Sequence, residues 1–381
     1  MAKKSVINPG KFHLGYAFDF PPYQNEEYNE EHEIKQLRWK SSCVMNRRAY
    51  VGNVKITEYD GTTYTLSDSV FKSRTNKFDS FTKTRRIDVA VGDGEDIIAL
   101  AGFADMLLQF KQTTLHIINC AGASEFLEGT YKFKGVEHPA SVCSTDFGIA
   151  WANKHGVFFF DGRQVEDCFI KRGVRRIKPS TWSTFAGSDI LRVGYLPDER
   201  LIMVINDDGD TFIYDMTTKS FTQGKTRISV HEKTNLINIW DGTLVLGSND
   251  GTGDEDLDVK PIEAVSSATD SGNFYLLTRQ VDGTSPTQEK KWKKVYVTYR
   301  NAGSAKVELS YKGISKKDGE SAFIPVTEAF ENSGNWETTG FKIGTNAYTM
   351  QIEIKPKSGQ QIPYNFEIND ITLVYRDKSV K

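Results

Sequence analysis

The sequence predicts an all-β protein, with an irregular β-propeller followed by a C-terminal β-sandwich domain. Aromatic residues make up 12% of the 381 residues, including 23 Phe and 16 Tyr, and these residue types favour strands. Short apolar runs alternate with Gly, Asn and Asp, which are typical of tight turns. Strand-rich windows begin near Ser42, Ile97, Thr145, Val193 and Leu236. They recur at roughly 43 to 55 residues, the interval of four-stranded propeller blades. The alternative fold is an irregular double sandwich.

The length of the chain predicts more than one domain. A chain of 381 residues is too long for one ordinary core. We expect an N-terminal arm at residues 1–36, a propeller-like domain at residues 37–255, and a linker with the sandwich domain at residues 256–381. Apolar residues at 38% and charged residues at 26% are ordinary for a globular protein.

Bulk charge and cysteine spacing exclude several classes of protein. A formal net charge of −2 argues against a protein whose main task is to bind nucleic acid through a basic surface. The four cysteines lack C-x-x-C spacing, which argues against a zinc site or a disulfide framework and predicts reduced thiols; they are Cys43, Cys120, Cys143 and Cys168. The sequence has no signal-peptide pattern and no apolar run of about 18 residues, so we expect neither secretion nor a membrane span.

The predicted arm is rich in aromatic residues and ends in an acidic run at residues 26–33. Pro21 and Pro22 argue against a central strand there, because proline cannot donate a ladder hydrogen bond. Aromatic residues at this density are typical of protein interfaces. The arm therefore either clasps a neighbouring subunit, which we favour, or folds back to complete a blade of its own propeller.

The propeller windows contain recognisable strand and turn patterns in chain order. Apolar runs at residues 42–45, 49–52 and 55–59 form a predicted meander, and three longer runs follow between residues 97 and 118. Residues 145–168 hold two apolar bursts around Asn153, His155 and Gly156, which predicts an antiparallel hairpin. The pattern returns at residues 201–223, and the recurrence indicates a repeat architecture.

Composition shifts after the fifth window. Residues 248–260 are acidic and Gly-rich and separate the array from the remaining chain, and they lack the regular ligand spacing of a calcium loop. Strands with alternating polar and apolar residues then return between residues 274 and 375, as in a sandwich with one buried face per sheet. We expect Trp292 and Trp336 to be at least partly buried in that domain.

No pattern of catalytic or ligand-binding residues stands out, and we predict no catalytic, cofactor-binding or metal-binding residue. Asp207, Asp208 and Asp210 lie in one turn, where Asp and Gly are favoured for backbone reasons. Gly92-Asp93-Gly94 resembles a phosphate-binding G-x-G but enters a strand-rich region, so a hairpin turn is expected. The histidines are scattered and form no metal motif; they are His13, His32, His116, His138, His155 and His231.

Two basic clusters remain. The first contains Lys171, Arg172, Arg175, Arg176 and Lys178, and the second is KKWKK at residues 290–294. Such clusters contact phosphates in nucleic-acid-binding proteins. They also occur on solvated strand edges, where lysine blocks unwanted pairing, and we favour this second interpretation for both clusters.

The chain resembles the tail nozzle or tail hub proteins of short-tailed bacteriophages, also called tail tubular protein B or packaged-DNA stabilisation proteins. The resemblance rests on the order of several segments rather than on any one of them. They are RAYVGNV, VFKSRTNKFDSF, DIIALAGFADMLLQFKQTTLHII, GIAWANKHGVFFFDGRQVEDC, RRIKPSTWSTF, ERLIMVINDDGDTFIYDMTTKSF and KKWKKVYV. Together they extend over most of the chain from Leu37 onward. At 381 residues the chain is shorter than the larger members of the family.

The resemblance implies a non-enzymatic virion component. It implies a homohexameric ring in the virion tail, assembled in the host cytoplasm, that continues the DNA channel below the portal and adaptor. Its implied partners are the adaptor, tail fibres or spikes, and the genomic double-stranded DNA in transit. The alternatives are a glycan-binding or glycan-cleaving propeller protein, which would need converging carboxylates or an aromatic platform in one cleft, and a receptor-binding tail protein.

Overall fold

The computed structural model of the protein describes residues 34–58, 60–122, 124–187, 190–224, 235–249, 257–262, 274–283, 285, 287–303, 305–315, 319–320, 322–331, 334–363 and 365–378. The predicted arm lies outside these residues, except for its last three positions. Within the described chain the protein is all-β, as predicted, with one eight-residue α-helix and two short 3₁₀ turns at Lys83–Arg85 and Pro139–Ser141. The chain divides into two compact units, Met1–Ser266 and Ser267–Lys381, so the division falls after the boundary expected at residue 255.

The first unit consists mainly of antiparallel meanders, in which each strand pairs with the next strand along the chain. Sheet 1 contains β1 (Ile34–Met45), β2 (Arg48–Glu58), β3 (Thr63–Lys72) and β4 (Arg86–Asp88). Sheet 2 contains β5 (Ile97–Phe103), β6 (Met106–Lys111), β7 (Thr114–Asn119) and β8 (Phe126–Lys132). Sheet 3 contains β9 (Val142–Thr145), β10 (Gly148–Asn153), β11 (Gly156–Phe160) and β12 (Val165–Asp167).

A small insertion separates sheet 3 from the sheets that follow. It contains β13 (Ile170–Lys171), β14 (Val174–Arg175) and the helix α1 (Pro179–Ala186). Sheet 4 contains β15 (Arg192–Leu196), β16 (Leu201–Ile205), β17 (Thr211–Asp215) and β18 (Ser220–Gly224). Sheet 5 contains three described strands, β19 (Leu236–Asn238), β20 (Leu244–Asn249) and β21 (Leu257–Pro261).

Successive sheets of the first unit share apolar cores in chain order. Sheet 1 shares a core with sheet 2, sheet 2 with sheet 3, sheet 3 with sheet 4, and sheet 4 with sheet 5. Representative side chains that share one core are Tyr50 with Leu107, Phe110 with Trp151, Val157 with Val193, and Ile205 with Leu246. A sheet packed on both faces needs strands that are apolar on both faces. The hairpin β10–β11 meets this need, because all of its strand residues are buried, and its predicted position is confirmed.

Local turn chemistry fixes the register within the meanders. Strands β1 and β2 are joined by Asn46 and Arg47, which both adopt positive φ, at 49° and 57°. Two positive φ values in a two-residue loop define a type I′ turn, whose twist matches that of the flanking strands. Residue Met45 therefore pairs directly with Arg48, and the pairing continues along both strands.

The second unit contains two antiparallel sheets around one apolar core. Its strands are β22 (Leu276–Leu277), β23 (Lys290–Arg300), β24 (Val307–Ser315), β25 (Gly319–Glu320), β26 (Ile324–Pro325), β27 (Glu337–Ala347), β28 (Thr349–Pro356) and β29 (Glu367–Asp377). One sheet has the order β22-β28-β24-β25, with β26 also on β24, and the other has the order β27-β23-β29. Both sheets contribute to the core, which includes Trp292 of β23, Leu309 of β24 and Ile352 of β28. The predicted alternation of buried and open positions is confirmed along β23.

Candidate functional site

A basic hairpin, residues 169–178, carries five basic residues and no acidic residue. Strands β13 and β14 form a two-stranded sheet of their own, with Lys171 paired to Val174. Its turn consists of Arg172 and Gly173, at φ 52° and 74°. Positive φ at both turn residues again indicates the type I′ geometry of a tight hairpin. The first basic cluster therefore lies on a hairpin that does not pair with any other strand of the described chain.

Phe169 anchors this hairpin to the core of the first unit. Its side chain is fully buried and lies 4.8 Å from the Trp182 ring and 5.2 Å from the Phe221 ring. The Arg176 N–H donates to the Phe169 carbonyl oxygen at 2.7 Å, so the base of the hairpin is closed by the backbone. The Arg175 guanidinium lies 5.4 Å from the centre of the same ring. The hairpin is thus held in one orientation before any partner arrives.

Only two of the five basic side chains of the hairpin donate hydrogen bonds to described residues of the protein. Lys171 Nζ donates to the Thr218 carbonyl oxygen, and Arg175 Nε donates to the Ile177 carbonyl oxygen at 2.9 Å. The side chains of Arg172, Arg176 and Lys178 are exposed and make no hydrogen bond or ion pair with any residue that the structure describes. These three cations therefore face solvent.

The acidic residues nearest in sequence are engaged elsewhere. Glu166 forms an ion pair with Lys219 at 2.6 Å between Oε1 and Nζ. Asp167 Oδ1 accepts the Phe169 N–H at 2.9 Å, which fixes the chain as it enters the hairpin. Both carboxylates are therefore committed to the fold rather than to the cations of the hairpin.

The helix α1 continues the electropositive surface. It begins at Pro179 directly after Lys178, and its first turn contains no acidic residue and no side-chain cap. The first N–H groups of a helix lack intrahelical acceptors and carry a partial positive charge. The helix is held by Trp182, whose Nε1 donates to the Asn153 carbonyl oxygen at 2.9 Å inside the core.

The second basic cluster has a different setting, and the strand-edge interpretation is wrong for it. Residues 290–294 begin β23, which is the central strand between β27 and β29. Lys290 is fully buried, and its Nζ donates to the carbonyl oxygens of Ser285 and of Gln288, the latter at 2.8 Å. Only Lys291 and Lys293 are exposed. The sequence pattern failed here because strand order within a sheet depends on partners far along the chain.

The two tryptophans of the second unit differ in burial. Trp292 is fully buried, and its Nε1 donates to the Ala347 carbonyl oxygen at 3.1 Å, which confirms the expectation for this residue. Trp336 is 47% exposed, and the Arg300 guanidinium lies 4.9 Å from its ring centre. Trp336 is therefore only half covered and lies outside the core cluster of the second unit.

The acidic turns singled out in the sequence perform structural tasks. Asp207 lies in the turn between β16 and β17 and pairs with the buried Arg192 at 2.5 Å. The expectation of a hairpin turn at Gly92–Gly94 is wrong, because these residues connect β4 of sheet 1 to β5 of sheet 2; Asp93 of this turn pairs with the buried Lys111 at 2.7 Å. Burial acts to raise the pKa of Asp93, but hydrogen bonds from Lys111 Nζ and the Glu95 N–H hold it below its ordinary value. Each turn carboxylate thus neutralises a cation that the sequence pattern did not predict to be buried.

The described histidines also serve local structure. His116 is buried, its Nδ1 lies 3.0 Å from Thr130 Oγ1, and burial lowers its pKa. His138 Nδ1 accepts the Ala140 N–H at 3.1 Å, and His155 lies 5.3 Å from the Phe133 ring. His13, His32 and His231 lie outside the described residues. Among the residues with a described position, no group of three His, Cys, Asp or Glu side chains is placed to hold a metal ion.

All four cysteines are free thiols. Burial raises the pKa of Cys43 and of Cys143 to about 12, and that of Cys120 to about 11. Burial also raises the pKa of Cys168. At neutral pH these groups are protonated and are poor nucleophiles, because the thiolate is the reactive form.

Two exposed apolar features were not predicted. Trp240 is 95% exposed at the turn between β19 and β20, where the Gly242 N–H donates to the Ile239 carbonyl oxygen at 3.0 Å. Phe126 and Leu127 lie on the edge strand β8 and line a cleft of about 400 Å³ between β8 and β4. The one local signal for Trp240 is the Asp-Gly pair that follows it, because such a pair marks a turn.

The acidic segment at residues 248–260 contains parts of two strands. Residues 250–256 lie outside the described chain, while β20 and β21 on either side pair with each other from Val245 and Pro261 to Asn249 and Leu257. The two ends of the segment therefore belong to sheet 5.

Among the described residues, no helix is long and apolar enough to cross a membrane.

Comparisons with known proteins give only distant similarities. No protein-family model and no curated protein sequence matches the chain. A structure of Hsv2 from Kluyvelomyces marxianus aligns with a TM-score of 0.35 and 9% identity, covering 61% of this chain and 77% of that one. A structure of the mitotic checkpoint complex aligns with a TM-score of 0.31 and 12% identity, covering 65% and 88% of the two chains. At these TM-scores neither similarity bears on function.

Proposed function

We propose that the protein is a structural, non-enzymatic subunit of the tail of a short-tailed bacteriophage. In this role it forms a ring-shaped nozzle that extends the DNA channel below the portal and adaptor and helps to retain the packaged DNA. The proposal starts from the resemblance of the ordered sequence segments to tail nozzle and hub proteins. Its subunits would assemble in the host cytoplasm as a homohexamer and would contact the adaptor and the tail fibres or spikes in the virion.

Trp240 is the structural observation that carries an assembly role. A tryptophan that is 95% exposed presents a large apolar area to water, and the surrounding turn holds it there. Tryptophan is among the residue types most enriched at the energetic centres of protein interfaces. Phe126 and Leu127, which are exposed on β8, add a second exposed apolar patch to the same unit.

We further propose the finer architecture that the sequence predicts. In the first unit, each meander shares a core with the next one, which supports an arrangement of the sheets as blades of an irregular propeller. In the second unit, two antiparallel sheets share one core, which supports a β-sandwich.

The ring is tested by measuring the mass of the purified full-length protein with multi-angle light scattering and imaging the same fractions by electron microscopy. We expect rings with about six times the 42.9 kDa mass of one chain. A protein that stays monomeric at all concentrations and cleaves glycans would refute the nozzle and support the enzymatic alternative. A monomer that binds host cell surfaces would instead support a receptor-binding tail protein.

The role of the arm is tested by deleting residues 1–33. If the arm clasps a neighbour, the ring is lost while the monomer keeps its circular dichroism spectrum and melting temperature. If the arm completes a blade within its own chain, the deletion unfolds the first unit instead. The second result would exclude the arm as a clasp between subunits, and the ring would then be judged from the mass of the full-length protein alone.

A further inference from the structure

The basic hairpin carries exposed charge that the fold does not use. Arg172, Arg176 and Lys178 face solvent, and the nearby carboxylates of Glu166 and Asp167 are bound to other groups. The five basic residues at positions 169–178 have no acidic residue among them, and the mutual repulsion of this local excess of positive charge is a cost to the isolated protein. A polyanionic partner would remove that cost.

We propose that the basic hairpin binds the phosphate backbone of nucleic acid without reading its base sequence. Arg172, Arg176 and Lys178 are the contacting side chains. The inference deepens the proposed function, because a tail channel would bring duplex DNA to the protein, but binding by the hairpin does not require the ring.

The chemistry of the surface favours phosphates over an acidic protein segment. Arg172 and Arg176 carry planar guanidinium groups, which bind phosphate oxygens through paired hydrogen bonds. The uncapped N-terminus of α1 follows Lys178 and adds main-chain donors, a set that recurs in phosphate contacts. The rival occupant is the acidic run at residues 26–33 of a neighbouring copy, and the experiment below separates the two.

Anchoring of the hairpin favours binding. Phe169 is fixed in the core, and the Arg176 N–H closes the base of the hairpin on its carbonyl oxygen. Because the backbone is already ordered, binding costs the rotamer freedom of a few side chains rather than the ordering of a loop. A phosphate backbone gives no base-edge contacts to these side chains, so the affinity should not depend on sequence.

The number of free cations sets the salt dependence. Three phosphate contacts give a slope of about −2.7 in the logarithm of the affinity against that of the salt concentration. Raising the salt from about 50 to about 200 mM should therefore weaken binding by about 40-fold. Lys171 and Arg175 would steepen this slope if they exchange their carbonyl partners for phosphates.

The test is a fluorescence anisotropy titration of the full-length protein with two labelled duplexes of unrelated sequence, about 20 base pairs each, at both salt concentrations. The test variant is R172Q/R176Q/K178Q. The matched control is K291Q/K293Q/K357Q, which removes the same charge from exposed positions of the second unit. Thermal melts check that both variants fold, and light scattering on the same samples reports assembly separately.

We expect the wild-type protein and the control to bind both duplexes with equal affinity and the salt dependence above. The test variant should lose at least tenfold in affinity at low salt and most of the salt dependence. Equal losses in the test variant and the control would overturn the proposal. Absence of DNA binding by the wild type, together with hairpin-dependent binding of a synthetic peptide of residues 26–33, would identify the hairpin as a protein contact. Either result can occur with the ring intact, so the nozzle proposal stands or fails separately.

Discussion

Replacing Asp207 with alanine should destabilise the first unit far more than the same change at Asp208 in the same turn. Arg192 is 1% exposed, and its Nη1 lies 2.5 Å from Asp207 Oδ1 and 3.0 Å from the Ile190 carbonyl oxygen. Asp207→Ala removes one carboxylate from the buried guanidinium, which keeps its hydrogen bond to the Ile190 carbonyl oxygen. Asp208→Ala, one residue further along the same turn, is the matched control because Asp208 is exposed.

The expected loss in free energy of unfolding depends on how deeply Arg192 and Asp207 are buried. Breaking a fully buried pair costs about 3 to 5 kcal/mol. The Asp207 side chain is 34% exposed, so water can partly replace it, and we expect a loss at the lower end, about 3 kcal/mol. Arg192→Met leaves a carboxylate that water can reach and should cost only about 1 kcal/mol. The double variant should be close to Arg192→Met alone, since it removes both charges together.

Local stability can be measured by native-state hydrogen exchange of peptides from β15 and β16, which separates the first unit from the second. Asp208→Ala should change it by less than about 0.5 kcal/mol. The reasoning fails if Asp207→Ala behaves like this control. It also fails if Arg192→Met costs as much as Asp207→Ala, because packing of the arginine side chain would then explain the stability.

Three further outcomes are expected. Trp292→Ala should cost about 3 to 4 kcal/mol in guanidinium denaturation, and the half-covered Trp336→Ala less than about 1 kcal/mol, because only the first removes a buried ring. Burial and Lys111 lower the pKa of His116 below 6.5, so the folded state binds the proton more weakly than the unfolded chain, and stability falls as pH drops below about 6.5. Thermal melts of His116→Asn between about pH 7 and pH 5 should show a weaker pH dependence, and an unchanged slope would contradict this account. Trp240→Ala should leave the melting temperature unchanged and weaken self-association in sedimentation velocity; an unchanged sedimentation profile would exclude Trp240 from the interface.

Local patterns predicted, to within one residue, where three of the five larger sheets of the first unit begin. The windows expected to begin near Ile97 and Leu236 begin at those residues, and the window expected near Val193 begins at Arg192. Each meander is built from neighbouring strands, so apolar runs and turn residues carry nearly all the information that defines it. The window expected at Ser42 was eight residues late because β1 starts within the predicted arm, at Ile34, in a stretch of mixed polar and apolar residues.

The functional surface was harder to predict because it depends on tertiary context. The basic clusters look alike in sequence, yet Lys290 is buried in a central strand while Arg172 is exposed on a separate hairpin. Burial of Lys290 follows from pairing with Ala347 and Asp377, more than 50 residues away in sequence. Trp240 was not predicted at all: its apolar residue type alone predicts burial, and the Asp-Gly pair that follows it marks a turn without showing that the ring lies in solvent.

The distance in sequence between strand partners determines when each unit can fold. Each meander of the first unit can close as soon as its own strands are available, because all its partners are neighbours. In the second unit, β22 pairs with β28 through Leu276 and Ile354, and β23 pairs with β29 through Lys290 and Asp377. Closing such long loops is slow, since the entropy is lost before the contacts form. During synthesis the first unit can therefore fold sheet by sheet. Strand β23 stays without its partner β29 until the end of the chain has been made, and the ring of Trp292 is uncovered during that time. We expect chaperones to bind the nascent chain at that stage.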